Sequence, residues 1–240
     1  MAEGKNGIQP QNLVVSQKKY DFSYQQIGRW LPYSAEPAQV EDFLANITLY
    51  PQARPQTLKE LEFYQSLLRE IIRSNQKEEA QIEFLVISEE ISKICRFDSE
   101  GLLVALDGFL PWGLVKIFKI NENGPKVATV VCFEGKIDKG EKSKQVAQVY
   151  LDFGLAQKQK MMLDEDDLTL IPVSAEEKVV LEIKCLGNFK ICQKKDLKIE
   201  VTGGTVGVVF DTRGRPFQFP DFSPQGRGRV VKWRKALGII

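Results

Sequence analysis

Histidine is absent from the 240-residue chain. That removes the commonest general base, the serine and cysteine triads that depend on it, and every imidazole metal ligand. Most hydrolase chemistry is thereby excluded. Cysteine is scarce too: Cys95, Cys132, Cys185 and Cys192 sit among apolar or β-type neighbours, and none forms a C-x-x-C pair. Zinc and redox motifs are not indicated, and buried free thiols are expected at all four positions. Net charge is nearly absent as well, with 33 basic against 32 acidic residues and a formal charge of +1. No global field draws in nucleic acid or anionic lipid, so an electrostatic partner must be recognised by a local patch.

Long apolar runs are also missing. The first twenty residues carry Lys5, Gln9, Gln11, Lys18 and Lys19 and contain no block like that of a secretory signal. The greasiest stretch, Gly101 to Phe118, is interrupted by Asp107, Pro111 and Lys116 and is shorter than the ~20 apolar residues that span a bilayer. It reads as two buried strands and a turn. A cytoplasmic protein that engages no membrane is the expectation.

What is present divides the chain. Residues 1–19 are polar and read as a flexible arm. Residues 20–80 form a helical section. Its first part, Tyr20 to Pro32, holds too many large apolar groups to stay in water and should dock on the body. Val40, Phe43, Leu44 and Ile47 then recur at the spacing of one helix face. Thr57 with Glu60 three residues on makes a capping box that opens a second helix. The stripe of that helix is Leu61, Tyr64, Leu68, Ile71 and Ile72, while Glu62, Gln65, Arg69 and Arg73 fall elsewhere, and its end is marked near Lys77 to Glu79.

Residues 81–225 change to short alternating or apolar runs bounded by Gly, Pro, Asn and Asp, which is how strands and turns look. The expected strands are Ile82 to Ile87, Leu102 to Leu106, Leu114 to Ile120, Val127 to Phe133, Gln145 to Phe153, Leu168 to Val173, Val179 to Cys185, Phe189 to Gln193, Leu197 to Thr202 and Val206 to Phe210. Residues 226–240 read as a basic C-terminal helix. The fold class is therefore α+β: a mainly β barrel or sandwich body with an N-terminal helical pair and a short C-terminal helix.

Several clusters invite chemistry. Asp164, Glu165, Asp166 and Asp167 have the oxygens for Ca²⁺ or Mg²⁺ but lack the spaced ligands and central Gly of a calcium loop, so they read as a solvated acidic turn. Glu89 and Glu90 read as surface charges. Gly203, Gly204, Thr205, Val206 and Gly207 look like a phosphate loop, yet a strand follows instead of a helix, and Gly203 and Gly204 are expected in a hairpin turn with positive φ. Asp211, Thr212, Arg213, Gly214, Arg215 and Pro216 form the most distinctive segment, offering two guanidinium forks. They either pair with Asp211 or dock an anion. From Arg213 to Lys235 there is an excess of six positive charges, interleaved with Phe217, Phe219, Phe222 and Trp233. The candidate interaction residues are Asp211, Arg213, Arg215, Arg227, Arg229 and Trp233, with no catalytic, cofactor or metal residue assigned.

The segment Ile27 to Pro32, then Asp42 to Asn46 and Leu49 to Gln52, together with Gly203, Gly204, Gly207, Asp211 to Pro216 and Trp233 to Leu237, resembles the middle and C-terminal part of the glutamate mutase L family. The resemblance covers about residues 20 to 240. It implies an actin-like ATPase relative that helps maintain a cobalamin-dependent mutase. The family's Asp-Ile-Gly-Gly-Thr type loop has no counterpart before Tyr20. Where the family places a Gly-rich turn this chain has Ile87, Ser88, Glu89 and Glu90, whose carboxylates repel phosphate. The expectation is a non-catalytic structural or protein-interaction module without a nucleotide site or cofactor. Its implied partner is another protein, such as an actin-like ATPase lobe or the mutase. Two alternatives stay open: an accessory subunit completing such an ATPase in trans, and a weak nucleic-acid binder through the basic C-terminal end.

Overall fold

A computed structural model describes residues 21–76, 81–119, 124–136, 144–154 and 158–240. The expected arm over residues 1–19 and the Lys77–Glu79 helix end lie outside them. Three helices open the described chain. The Ser23–Gln26 capping box starts α1 (Tyr24–Gly28), Pro37 occupies the first turn of α2 (Pro37–Leu49), and the Thr57–Glu60 box starts α3 (Leu58–Ser74). In that box Thr57 Oγ1 accepts from the Glu60 amide at 3.2 Å and the Glu60 carboxylate accepts from the Thr57 amide at 3.2 Å. Val40, Phe43, Leu44 and Ile47 of α2 pack with Phe63 and Leu67 of α3 and with Ile27 and Leu31 from the α1 region. Each such side chain contributes about 2 kcal/mol by leaving water.

The body has two sheets. Strands β1 (Phe84–Ile87), β2 (Gly113–Lys119), β3 (Lys126–Cys132), β9 (Gly207–Asp211) and β6 (Leu168–Ile171) form, in that spatial order, a five-stranded mixed sheet. Strands β5 (Gln159–Asp164), β4 (Gln145–Asp152), β7 (Lys178–Cys185) and β8 (Asp196–Thr202) form a four-stranded antiparallel sheet. Val131, Val208 and Phe210 of the first sheet meet Val149, Leu181 and Ile183 of the second in one buried cluster. The alternation of Val179, Leu181 and Ile183 with more polar neighbours puts the apolar set inward, as a period of two requires. This is a sandwich, and among the described residues neither sheet closes into a barrel.

A second core covers the opposite face of the five-stranded sheet. It is built on α5 (Asp98–Phe109), which packs between that sheet and α3. The short α4 (Glu89–Lys93) precedes α5, and α6 (Pro224–Ala236) lies beside β6. Here the expected strand Leu102 to Leu106 is corrected: the segment is the middle of α5. Leu102, Leu103, Val104, Ala105 and Leu106 are all buried. A helix enclosed on every side leaves no polar face, so its sequence has neither a 3.6-residue nor a two-residue period. The Gly101 to Phe118 stretch is thus a helix, a turn and one strand. Phe189 to Gln193 also departs from strand, making isolated bridges only, because Cys192 and Gln193 take left-handed φ values of 48° and 62°. Strand β5 escaped the reading because its first residues, Gln159 and Lys160, are polar.

The Gly203–Gly204 hairpin is corrected as well. Strands β8 and β9 belong to different sheets, so this link crosses from one layer to the other. Neither glycine has positive φ. They are small because other backbone passes close by: a Cβ on Gly203 would sit 1.7 Å from the Val173 carbonyl oxygen, and one on Gly204 would sit 2.4 Å from that of Val127. Gly203→Ala is therefore expected to destabilise the chain by about 3 kcal/mol, at the upper end for overpacking, since backbone must move. Urea unfolding checks this, and a loss below about 1 kcal/mol would refute the close-approach account.

Candidate interaction site around Asp211

The Asp211–Pro216 segment leaves the end of β9 and turns into the space under α5. Asp211, Arg213 and Arg215 are all buried. Both oxygens of Asp211 are used by Arg213: Oδ1 accepts from its Nε at 2.9 Å and from its amide at 3.1 Å, and Oδ2 accepts from Nη2 at 2.9 Å. Oδ2 also accepts from Arg215 Nη2 at 3.0 Å. Arg215 Nε and Nη1 donate to the Pro111 and Gly214 carbonyls. Arg213 Nη1 extends the chain of charges to Asp107 on α5 at 2.6 Å, whose other oxygen accepts from Arg69 of α3 at 2.7 Å. The Phe217 and Trp233 rings lie against the Arg213 guanidinium at 5.0 and 4.8 Å.

Burial alone would push the Asp211 carboxyl up, but the charges of Arg213 and Arg215 and the bonds from Arg213 outweigh it. The carboxyl is held well below the usual carboxylate range. Burial likewise opposes the Arg213 charge, and Asp211 with Asp107 more than restores it. The pair of Glu62 on α3 with Arg234 on α6, at 2.7 Å, has the opposite balance. Burial raises the Glu62 carboxyl despite Arg234, and burial lowers Arg234 despite Glu62. The Asp211 carboxylate accepts four hydrogen bonds, whereas Glu62 has Arg234 as its ion-pair partner with Tyr33 and Arg96 beside it, too little to offset burial.

Buried charge on α3 overturns part of the helix reading. Glu62, Gln65, Arg69 and Glu70 are buried, while Leu61, Tyr64, Ile71 and Ile72 of the expected apolar stripe are only partly so. Gln65 donates to Glu100 at 3.1 Å, and Glu70 accepts from Trp30 Nε1 at 2.6 Å. The polar side of α3 faces inward because Arg29 and Trp30 after α1, Glu100 and Asp107 of α5 and Arg234 of α6 meet it there.

The basic C-terminal candidates separate. Arg229 pairs with Asp166 at 2.7 Å, Lys232 pairs with Asp167 at 3.0 Å, and Trp233, itself buried, donates through Nε1 to the Asp166 carbonyl at 3.2 Å. The acidic turn and the basic helix, read separately from the sequence, hold each other. Asp166 adopts a left-handed φ of 56° in that turn. Arg227 stands apart, half-buried, with Nη1 near the Phe222 carbonyl at 3.5 Å. The structure thus joins Asp211, Arg213, Arg215 and Trp233 around one cluster and places Arg229 at its margin and Arg227 outside it.

No family model, curated protein or solved structure matches this chain. Chemistry must be read from the residues themselves. Burial pushes the thiols of Cys95, Cys132 and Cys185 up to about 12, which leaves them thiols at neutral pH. All four cysteines are free, with Cys132 buried and the others partly so. Among the described residues no three acids or cysteines gather as a metal set. A cavity of about 30 Å³ beside Cys95, Arg96, Asp98 and Lys119 has room on the order of one water. No helix among the described residues is long and apolar enough to cross a membrane.

Sequence reasoning missed one surface. Strand β1 ends the five-stranded sheet, and on the face shared with the sandwich interior Phe84 and Val86 extend past the four-stranded sheet, 53% and 38% exposed. Phe84 stacks on Phe118 of β2 with centroids 6.2 Å apart, and Lys116 lies over the Phe84 ring at 5.5 Å. An apolar strand residue reads the same in sequence whether a second sheet covers it or not, so no signal marked this ledge.

Proposed function

We propose that this chain is a non-catalytic structural or protein-interaction module, related to the accessory proteins of the glutamate mutase L group and acting on another protein in the cytoplasm. The observation that carries the reading is the internal use of Arg213 and Arg215. These are the guanidinia best suited to grip phosphate or carboxylate, yet their donors already satisfy Asp211, Asp107 and backbone carbonyls. A ligand anion there would have to displace a buried aspartate. At the position where the resemblance implies a Gly-rich phosphate turn, Ser88 instead caps the short α4, accepting from the Ile91 amide at 3.4 Å. Support against a nucleic-acid role comes from α6, where Arg229, Lys232 and Arg234 are each paired with an acid.

Isothermal titration of the purified chain with MgATP is expected to give no binding heat at micromolar nucleotide. Micromolar ATP affinity, or ATP hydrolysis by the chain alone, would overturn the proposal. Affinity purification from the native host should return a stoichiometric protein partner. A partner bearing an actin-like phosphate loop would favour the reading in which the chain completes an ATPase in trans.

A further inference from the structure

We infer that the ledge formed by β1 and β2 is the docking surface for a segment of another protein that combines apolar side chains with carboxylates. The inference rests on the interaction-module reading and specifies its surface and the chemistry of its partner. Three groups supply the apolar part: Phe84, Val86 and Phe118. The first two are exposed well beyond what a single sheet position needs, and the rings of Phe84 and Phe118 form one stacked platform. An apolar patch rimmed by polar groups marks an interaction site.

The charge of the rim selects the partner. Lys116 lies over Phe84, and Lys126, paired in register with Phe118, stands on the same face. Among the described residues neither lysine has a carboxylate partner, although sixteen ion pairs form elsewhere. Lys126 Nζ instead donates to Thr202 at the end of β8, to its carbonyl at 2.8 Å and to its hydroxyl at 2.7 Å. Burial and then the nearby Lys116 lower the Lys126 pKa to about 8. Two cations crowded together with no acid paired to them among the described residues, beside an exposed aromatic platform, are complementary to a carboxylate-bearing apolar segment. A second copy meeting ledge to ledge would bring four lysines together. The chain's own first twenty residues carry Lys5, Lys18 and Lys19 against Glu3 alone, which is the same sign as the rim.

The test uses the full chain and two fluorescein-labelled peptides, one alternating Glu with Phe and Val, the other with Lys replacing Glu. In fluorescence anisotropy the acidic peptide is expected to bind at least about tenfold tighter, with an advantage that shrinks in high salt. Phe84→Ser should weaken that binding about tenfold, and Lys116→Glu with Lys126→Glu should reverse the preference between the peptides. Phe84 and Lys116 are exposed, whereas Lys126 is half-buried against Thr202, so thermal unfolding is measured for each variant, and Lys116→Glu alone should already narrow the preference between the peptides. Equal binding of both peptides, or indifference to these substitutions, would sink the inference. So would a concentration-dependent dimer abolished by Phe84→Ser, which assigns the ledge to a second copy. Amine cross-links from Lys116 or Lys126 to Lys5, Lys18 or Lys19 would assign it to the chain's own N-terminal residues and sink it equally. Loss of peptide selectivity without ATP binding removes the ledge and leaves the module reading standing. ATP binding with selectivity intact does the reverse.

Discussion

Asp211→Ala is expected to cost about 3–5 kcal/mol of folding free energy, enough to consume much of the stability of a domain this size. The substitution leaves Arg213 and Arg215 buried with their shared counter-charge gone, while Arg213 retains only Asp107. Asp211→Asn keeps the shape and some acceptors and should cost less. Urea unfolding measures both, and a change under about 1 kcal/mol in the alanine variant would show that the network contributes little. The pH dependence has a definite sign. In the folded chain the Asp211 carboxyl is held below its unfolded value, which is about 3.9, so its stabilisation is fully present above that value. It is lost as pH falls from about 4 toward the folded pKa. The fall of Tm below pH 4 should accordingly be shallower in Asp211→Asn than in the parent.

Glu70→Ala is the second large effect, at about 3 kcal/mol. Glu70 Oε1 accepts from Trp30 Nε1 at 2.6 Å and from Arg29 Nε at 3.1 Å, and Oε2 accepts from Arg73 Nη2 at 3.1 Å. Removing the carboxylate strands a buried indole N–H and loosens the residues that follow α1 from α3. The loss should be local before it is global: tryptic cleavage after Arg29 is expected to accelerate more than cleavage within the body. Glu70→Gln, which retains an acceptor for Trp30, should recover roughly half the stability. Uniform cleavage rates across the chain would contradict this anchoring role.

The two largest effects fall on residues of opposite legibility. Asp211 stood out because its motif is compact, and pairing with Arg213 or Arg215 was one of its two readings. Glu70 did not, since a glutamate on an amphipathic helix reads as solvent-facing and its partners Arg29 and Trp30 lie about forty residues upstream. Capping at Thr57 and the alternation at Val179 to Ile183 are local, so sequence shows them directly. The helix α5 was hidden for the opposite reason, because burial on every side erased the period that betrays a helix. The sandwich was legible as a class, whereas the step that leaves Phe84 and Val86 uncovered depends on how far β8 reaches across the other sheet. That relation between layers has no local signature. The acidic turn and basic helix were each visible, but their union at Asp166 follows only from the packing of α6 beside β6.

The contact between Glu62 and Arg234 spans 172 positions of sequence. During synthesis the first of these residues leaves the ribosome long before the second has been translated. Until then Glu62 on the inward side of α3 lacks its ion-pair partner, and the final packing of that helix must wait for α6. A polypeptide released before that helix is made would therefore leave bare the apolar surface that Val230, Trp233 and Leu237 cover in the finished chain.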